Sequence, residues 1–433
     1  MNIILNSNKT SLVQNTLTKE SSQSLSYATE DSFPNVSKKI SAVNPYITFS
    51  SGTIPDNNQI TFNIPRNQIW YNGRLKFTYT YNLSTAEISN PIALNIIRQV
   101  DFLCNGQPFA SYTGEAYKAI VMNSPPMFQE YTYRYAVPLQ PGNEMTAQAG
   151  ANQSWVSYLP LFGSWFSSIE KALNTSEIEQ IQVVVTFKDY ASSGLSASIT
   201  SLSAILYTWK YMPAPEVYSK MVVKDFSSDL LMECTNTFTE RFPITGAGTA
   251  ALAPYQVTST VFYPVFKTHV FIAKTDNLNG NLGCPIANID SLSIDVGGEN
   301  VFSSLSKSTI DYEQALHGMA NTNLVYPTAA TGAGSTNAIV INNTQIITID
   351  WSLLCGRNFN SGLASMANLN KPIYSIYSTY TPNVAVTASN YGPPLVGTGA
   401  DTWSNYSVFL VHEYFCVLSC DSNSRIISVR ANQ

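Results

Sequence analysis

One strand-and-turn pattern occurs twice in this chain. Val100-Asp101-Phe102-Leu103-Cys104 alternates apolar and polar residues and runs into Asn105-Gly106-Gln107. About 190 residues later, Leu292-Ser293-Ile294-Asp295-Val296 runs into Gly297-Gly298-Glu299, a long-range recurrence that marks a repeated unit. Upstream neighbours match as well. Gln59 to Pro65 and Leu75 to Tyr81 precede the first copy; Gln256 to Val261 and Thr268 to Ile272 precede the second. Alternation with a period of two, closed by Asn-Gly or Gly-Gly, is a signature of paired strands. The chain therefore reads as a duplicated β-unit, an arrangement more suited to a building block than to a catalyst.

Composition narrows the function classes. Charged residues make up 12% of the 433, about half the usual share. Aromatics also reach 12%, with 25 Tyr against 6 Trp. The polar surface must then consist mostly of Ser, Thr, Asn and Gln. Such a surface packs against copies of itself with little charge to desolvate. A net charge of -5 supplies no dense basic face, so direct nucleic-acid binding is not expected. No run reaches the roughly 18 apolar residues of a membrane helix; the best, Val408 to Leu418, contains His412 and Glu413. Met1-Asn2-Ile3-Ile4-Leu5 lacks the charged start of a signal peptide, so a soluble protein made in the cytosol is expected.

Three regions follow: an arm at residues 1–44, a first β-unit at 45–215 and a second at 222–433. The arm is rich in Ser, Thr, Asn, Gln and Lys without periodicity, so the fold is expected to survive its removal. Its Ile3-Ile4-Leu5 tip and its Lys38-Lys39 pair suit a latch onto a neighbour or a membrane face. The break between units is placed at Pro213-Ala214-Pro215. Val408 to Val417 is apolar on both faces and should be a central strand. Helical signal is sparse, with one short stretch at Ser167 to Leu173. Long loops are expected at 123–153, 321–337 and 387–402, as exposed crowns.

Chemistry is hard to find. His269, His317 and His412 are isolated, with no ligand spacing, and His412 beside Glu413 reads as a satisfied core pair. Thr245-Gly246-Ala247-Gly248 and Thr331-Gly332-Ala333-Gly334 lack the Lys-Ser/Thr of a phosphate loop and read as hairpin tips. No GxSxG occurs. Glu170, Glu177 and Glu179 read as a solvated face, and Tyr131, Tyr133 and Tyr135 as a half-buried strand. Cys104, Cys234, Cys284, Cys355, Cys416 and Cys420 show no CxxC spacing and read as buried thiols; only Cys416 and Cys420 are near enough in sequence to raise a disulfide or metal question. Sequons such as those at Asn82 and Asn405 arise by chance in so Asn-, Ser- and Thr-rich a chain. No catalytic, cofactor-binding or metal-binding residue is assigned.

Several segments resemble a known family. Tyr158-Leu159-Pro160-Leu161-Phe162-Gly163-Ser164-Trp165-Phe166, followed by Ala172-Leu173 and Ile181 to Phe187, is similar to a Pro-Leu and Trp-Phe segment of the double jelly-roll major capsid proteins. These are the adenovirus-hexon and tailless-phage lineage of icosahedral DNA viruses. Phe62-Asn63-Ile64-Pro65-Arg66 resembles their early Phe-x-Ile-Pro-Arg strand. Ile349-Asp350-Trp351-Ser352-Leu353, Ser361-Gly362 and Ser365 to Pro372 resemble a pattern of their second jelly roll. Gly163-Ser164 and the acidic Ser176-Glu177-Ile178-Glu179 depart from the family pattern, which leaves the lineage within the group open.

The resemblance implies an all-β fold of two tandem eight-stranded antiparallel jelly rolls, with long loops and few short helices. It implies a non-enzymatic major capsid protein that forms homotrimers, pseudo-hexagonal blocks tiling an icosahedral shell. Its partners would be itself, neighbouring capsomers, penton and minor capsid proteins, and an internal membrane or other proteins beneath the shell. It would reside in the virion after synthesis in the host cytoplasm. Two rival readings are a tandem β-sandwich for host attachment or carbohydrate binding, and a jelly-roll glycoside hydrolase, which would need two facing carboxylates.

Overall fold

The computed structural model describes residues 37–43, 59–66, 69–83, 97–122, 150–161, 173–175, 178, 180–187, 199–212, 230–246, 248, 250–274, 286–287, 289–306, 308–310, 312, 324–327, 338–341, 346–351, 364–365, 371–379, 402–420 and 427–430. Strands dominate. The first group comprises β1 (Ser37–Val43), β2 (Gln59–Ile64), β3 (Ile69–Leu83), β4 (Ile97–Cys104), β5 (Gln107–Thr113), β6 (Gly150–Pro160), β7 (Leu173–Asn174), β8 (Ile181–Phe187) and β9 (Ile199–Met212). Between β5 and β6 lies helix α1 (Gly114–Met122). The second group comprises β10 (Leu230–Pro243), β11 (Leu252–Thr258), β12 (Pro264–Lys274), β13 (Ile286–Ala287), β14 (Ser291–Val296), β15 (Glu299–Ser306), β16 (Leu324–Pro327), β17 (Ala338–Ile341), β18 (Ile347–Asp350), β19 (Ala364–Ser365), β20 (Ile373–Ser378), β21 (Tyr406–Cys420) and β22 (Ile427–Arg430). Among the described residues, strand pairing stays inside one group or the other.

Each group builds the same pair of sheets. In the first, one sheet runs β1-β9-β3-β6 and the other β2-β8-β4-β5. In the second, β10-β21-β12 and β11-β20-β14-β15 take the same places. The fourth place beside β12 is shared by three short pieces, β19, β18 and β13, where the first group has the single long β6. All pairs are antiparallel. Two sheets in this strand order, with their apolar faces turned inward, make an eight-stranded jelly roll.

The two hairpins foreseen in the sequence are β4-β5 and β14-β15, and they match residue for residue near the turn. Asn105 and Gly106 have φ of 51° and 79°, and Gly297 and Gly298 have 65° and 85°. These left-handed pairs suit the tight turns that follow strand twist. Cys104 faces Gln107, Leu103 faces Pro108, and Phe102 faces Ala110, so Phe109 is bulged. Val296 faces Glu299, Asp295 faces Asn300, and Ile294 faces Phe302, so Val301 is bulged at the same step. A shared bulge at one position is strong evidence that the repeat is structural.

Several expectations change in detail. The arm expected at residues 1–44 contains β1, which pairs with β9 from Ser37↔Met212 to Val43↔Leu206. Removing the chain up to Ser41 would therefore cut into a sheet-edge strand. Gly150 to Gln153 of the first expected loop belong to β6, and Leu324 to Pro327 of the second form β16, paired with β17. The short helix expected at Ser167 to Leu173 lies outside the described residues except for Leu173, which is in β7. One helix among the described residues, α1, is not foreseen from the sequence. Thr113 caps it by accepting the Ala116 N–H at 3.2 Å. Its first residue must be glycine, since a Cβ at Gly114 would lie 2.2 Å from the Ile97 carbonyl oxygen. The expected central strand is β21, held between β10 and β12, and Val408 to Val411 are all buried on it.

Candidate functional site: the seam between the units and a buried histidine cluster

The first unit meets the second along β5 and β10. β5 is the last strand of its sheet, so among the described residues one side of its backbone has no strand partner. Second-unit side chains take up that capacity at Ser111. Its N–H donates to Asn236 Oδ1 at 3.3 Å, and its carbonyl accepts from Thr237 Oγ1 at 3.0 Å. Tyr112, only 1% exposed, donates its hydroxyl to the Thr235 carbonyl at 2.7 Å. Thr113 and Thr239 share a hydroxyl contact at 3.1 Å. Behind the seam, Gln99, Asp101 and Ser111 bond one another. The two units are thus joined by neutral, directional bonds, which fix their register without burying charge at the contact.

A second cluster lies inside the second unit. Glu240 on β10 accepts from Ser259 Oγ at 2.5 Å, from the Thr260 N–H at 2.7 Å and from Thr260 Oγ1 at 2.6 Å. His412 on β21 places Nε2 3.1 Å from Glu240 Oε2. Nδ1 lies 2.9 Å from Thr268 Oγ1 on β12, and Trp351 Nε1 donates to that same hydroxyl at 2.9 Å. Burial disfavours the imidazolium and lowers the His412 pKa, although Glu240 opposes the shift. Burial alone would raise Glu240, but the bonds from His412, Ser259 and Thr260 prevail and hold it at about 2. The bonding pattern assigns a neutral ring with its proton on Nε2, donating to an ionised carboxylate.

A neighbouring pair repeats this theme. His269 Nε2 lies 2.8 Å from Glu413 Oε1, and its Nδ1 lies 2.8 Å from Thr348 Oγ1. Burial would raise the Glu413 pKa; its bond to His269 and the nearby charges of His269 and Lys267 instead lower it.

Ser259, His412 and Glu240 contain the residue types of a hydrolytic triad without its geometry. The carboxylate sits on the ring nitrogen that faces the serine, and the serine directs its own proton to the carboxylate. Nε2 therefore has no vacant lone pair to accept that proton. Ser259 and His412 are also fully buried. This arrangement can hold strands together; it cannot activate the serine for attack on a substrate.

His269 and His412 both fall in core networks, although His412 pairs with distant Glu240 and not with adjacent Glu413. His317, the Tyr131 to Tyr135 stretch, Glu170, Glu177, Glu179 and Thr331 to Gly334 lie outside the described residues. Gly246 and Gly248 have φ of 81° and 54° in a turn after β10, and Trp403 donates to the Gly248 carbonyl there. Cys104 and Cys416 are buried thiols outside any disulfide. Cys416 and Cys420 lie four residues apart on one strand, about 13 Å, which is too far for a disulfide bridge. Among the described residues no cluster of three metal-ligating side chains occurs. Sequence reasoning missed the seam and Glu240, for which local pattern carries no signal.

No protein-family model matches the chain, and no curated protein matches its sequence. Solved structures do match. The crystal structure of VP54 from PBCV-1, as fitted into a reconstruction of the virophage Sputnik, superposes with a TM-score of 0.62 at 12% identity, covering 92% of this chain and 98% of that one. The fold is a double jelly roll. The mavirus major capsid protein gives a TM-score of 0.52 at 12% identity, covering 90% of each chain. The Faustovirus major capsid protein gives 0.54 at 12%, covering 91% of each. These neighbours are structural proteins of viral capsids, and the double jelly roll here spans nearly the whole of each.

Proposed function

We propose that this double jelly-roll protein is a viral major capsid protein that assembles as a homotrimer, a pseudo-hexagonal block tiling an icosahedral shell. One observation carries the reading: the two tandem rolls match VP54 along almost its whole length, over 92% of this chain and 98% of that one. The rolls form separate domains divided between Met212 and Leu230, and three chains supply six rolls to the ring. A chain with 12% charged residues supports this role, since walls of Ser, Thr, Asn and Tyr pack repeatedly with a small desolvation cost. Synthesis in the host cytoplasm, contacts with penton and minor capsid proteins, and an internal membrane under the shell belong to the same proposal. No residue is assigned a catalytic or cofactor role.

Light scattering on the purified protein tests it. The expected mass is three times the 47.5 kDa chain. A stable monomer at micromolar concentration would overturn the reading.

A further inference from the structure

β15 is the second-unit counterpart of β5, with the same place in its sheet and the same bulge after the same kind of turn. Their surroundings differ. Phe109, Ala110 and Tyr112 of β5 are buried, and second-unit side chains bond the Ser111 backbone. On β15, Val301 is 38% exposed, and Glu299, Asn300, Ser303 and Ser304 are exposed too. Among the described residues, no hydrogen bond reaches Ser303 from outside its own hairpin.

Resting on the trimeric capsid reading, we propose that β15 docks against β1 of a second copy of this chain, as β5 docks against β10 within one chain. Position supports this choice of partner. β1 ends the pairing path of its sheet in the first roll as β10 does in the second, each beside the long strand that comes next in that path, β9 and β21. The step from first roll to second roll, repeated from second roll to the next first roll, closes a ring of six rolls with three chains. Head-to-tail contacts produce a closed ring when the rotation between successive copies closes.

Charge supports it as well. Along the seam, Ser111 meets Asn236 and Thr113 meets Thr239, so β5 and β10 run in the same sense. The same sense between copies brings the Glu299 end of β15 to the Lys38-Lys39 end of β1. Asp295, facing Asn300 in the hairpin, adds a second acid at that end. In a chain so poor in charge, opposite signs at matching ends select this register.

Two sets of variants test the inference by solution mass and thermal melting. V301R/S303R places two long cations on the exposed face of β15. It should melt like the native protein yet have the mass of one chain. Glu299→Lys should weaken the trimer roughly fivefold at low salt, the scale of an exposed ion pair. Adding Lys38→Glu and Lys39→Glu to Glu299→Lys should restore it. A native trimer left intact by V301R/S303R, with no rescue by the charge swap, overturns the β15–β1 contact and leaves the capsid reading standing. If a segment of the same chain covers β15, V301R/S303R would melt early and remain trimeric, which also overturns it. A native protein that is monomeric removes both proposals.

Discussion

The two rolls share a topology and differ inside. The first roll is filled by Phe62, Trp70, Phe77, Tyr112 and Tyr117, all nearly inaccessible. Two of its ring pairs meet edge to face, Phe77 with Phe187 at 5.9 Å and Phe102 with Tyr112 at 6.1 Å. Among the described residues, its buried polar ones are the threonines 61, 175, 186 and 208. The second roll buries Glu240, His269, His412, Ser259 and Thr268 among its apolar residues. An apolar core is non-directional and tolerates small slips in packing. A satisfied polar network is directional. Glu240 and His412, with Ser259, Thr260, Thr268 and Trp351, tie β10, β12 and β21 to the segments after β11 and β18 in one register. The second roll needs this more, because the strand beside β12 is three short pieces where the first roll has continuous β6. One fold can thus be specified by shape in one half and by hydrogen bonding in the other.

The largest expected effect falls on the first roll. Trp70→Ala should cost about 4 kcal/mol through lost burial and a cavity, and calorimetry should find the same loss at neutral and mildly acidic pH. A cost that depended on pH would break the contrast between the cores. Next is His412→Leu, which leaves the Glu240 carboxylate without its ring donor. A loss of about 3 kcal/mol is expected, measured by denaturant unfolding at neutral pH.

The acid response of the native protein comes third, and its sign follows from the two shifts. His412 has a folded pKa below its ordinary 6.5, so below that pH the unfolded chain takes up the proton more readily. Stability is full above about 6.5 and declines as pH falls beneath it. Glu240, held at about 2 against an ordinary 4.5, adds a further loss between those two values. Melting temperature followed from neutral pH to 5 should fall in the native protein and fall less in His412→Leu. Equal slopes would show that the second roll's cluster is not the source. The smallest effect is at the seam: Tyr112→Phe removes one hydroxyl bond to Thr235 and should cost about 1 kcal/mol, read by chemical denaturation.

What could be read in advance divides along the same line. Strand alternation, Asn105-Gly106 and Gly297-Gly298 are local signals, and they identified both hairpins and the repeat. The doubly apolar Val408 to Val417 likewise marked β21 as central. β1 reads as arm in the sequence because an edge strand tolerates lysine, and Ser37-Lys38-Lys39 lacks an apolar stripe. α1 was missed because it opens on Gly114, a poor helix former required here by the close Ile97 carbonyl. Glu240 and His412 lie 172 residues apart, and Tyr112 and Thr235 lie 123 apart. Only the fold brings such pairs together, so the cluster and the seam had no sequence signal.

Electron microscopy of the purified protein tests the capsid reading most directly. Class averages should show a threefold block of six roll-sized lobes, packing edge to edge into hexagonal sheets or closed shells as concentration rises. Isolated two-lobed particles at every concentration would contradict it.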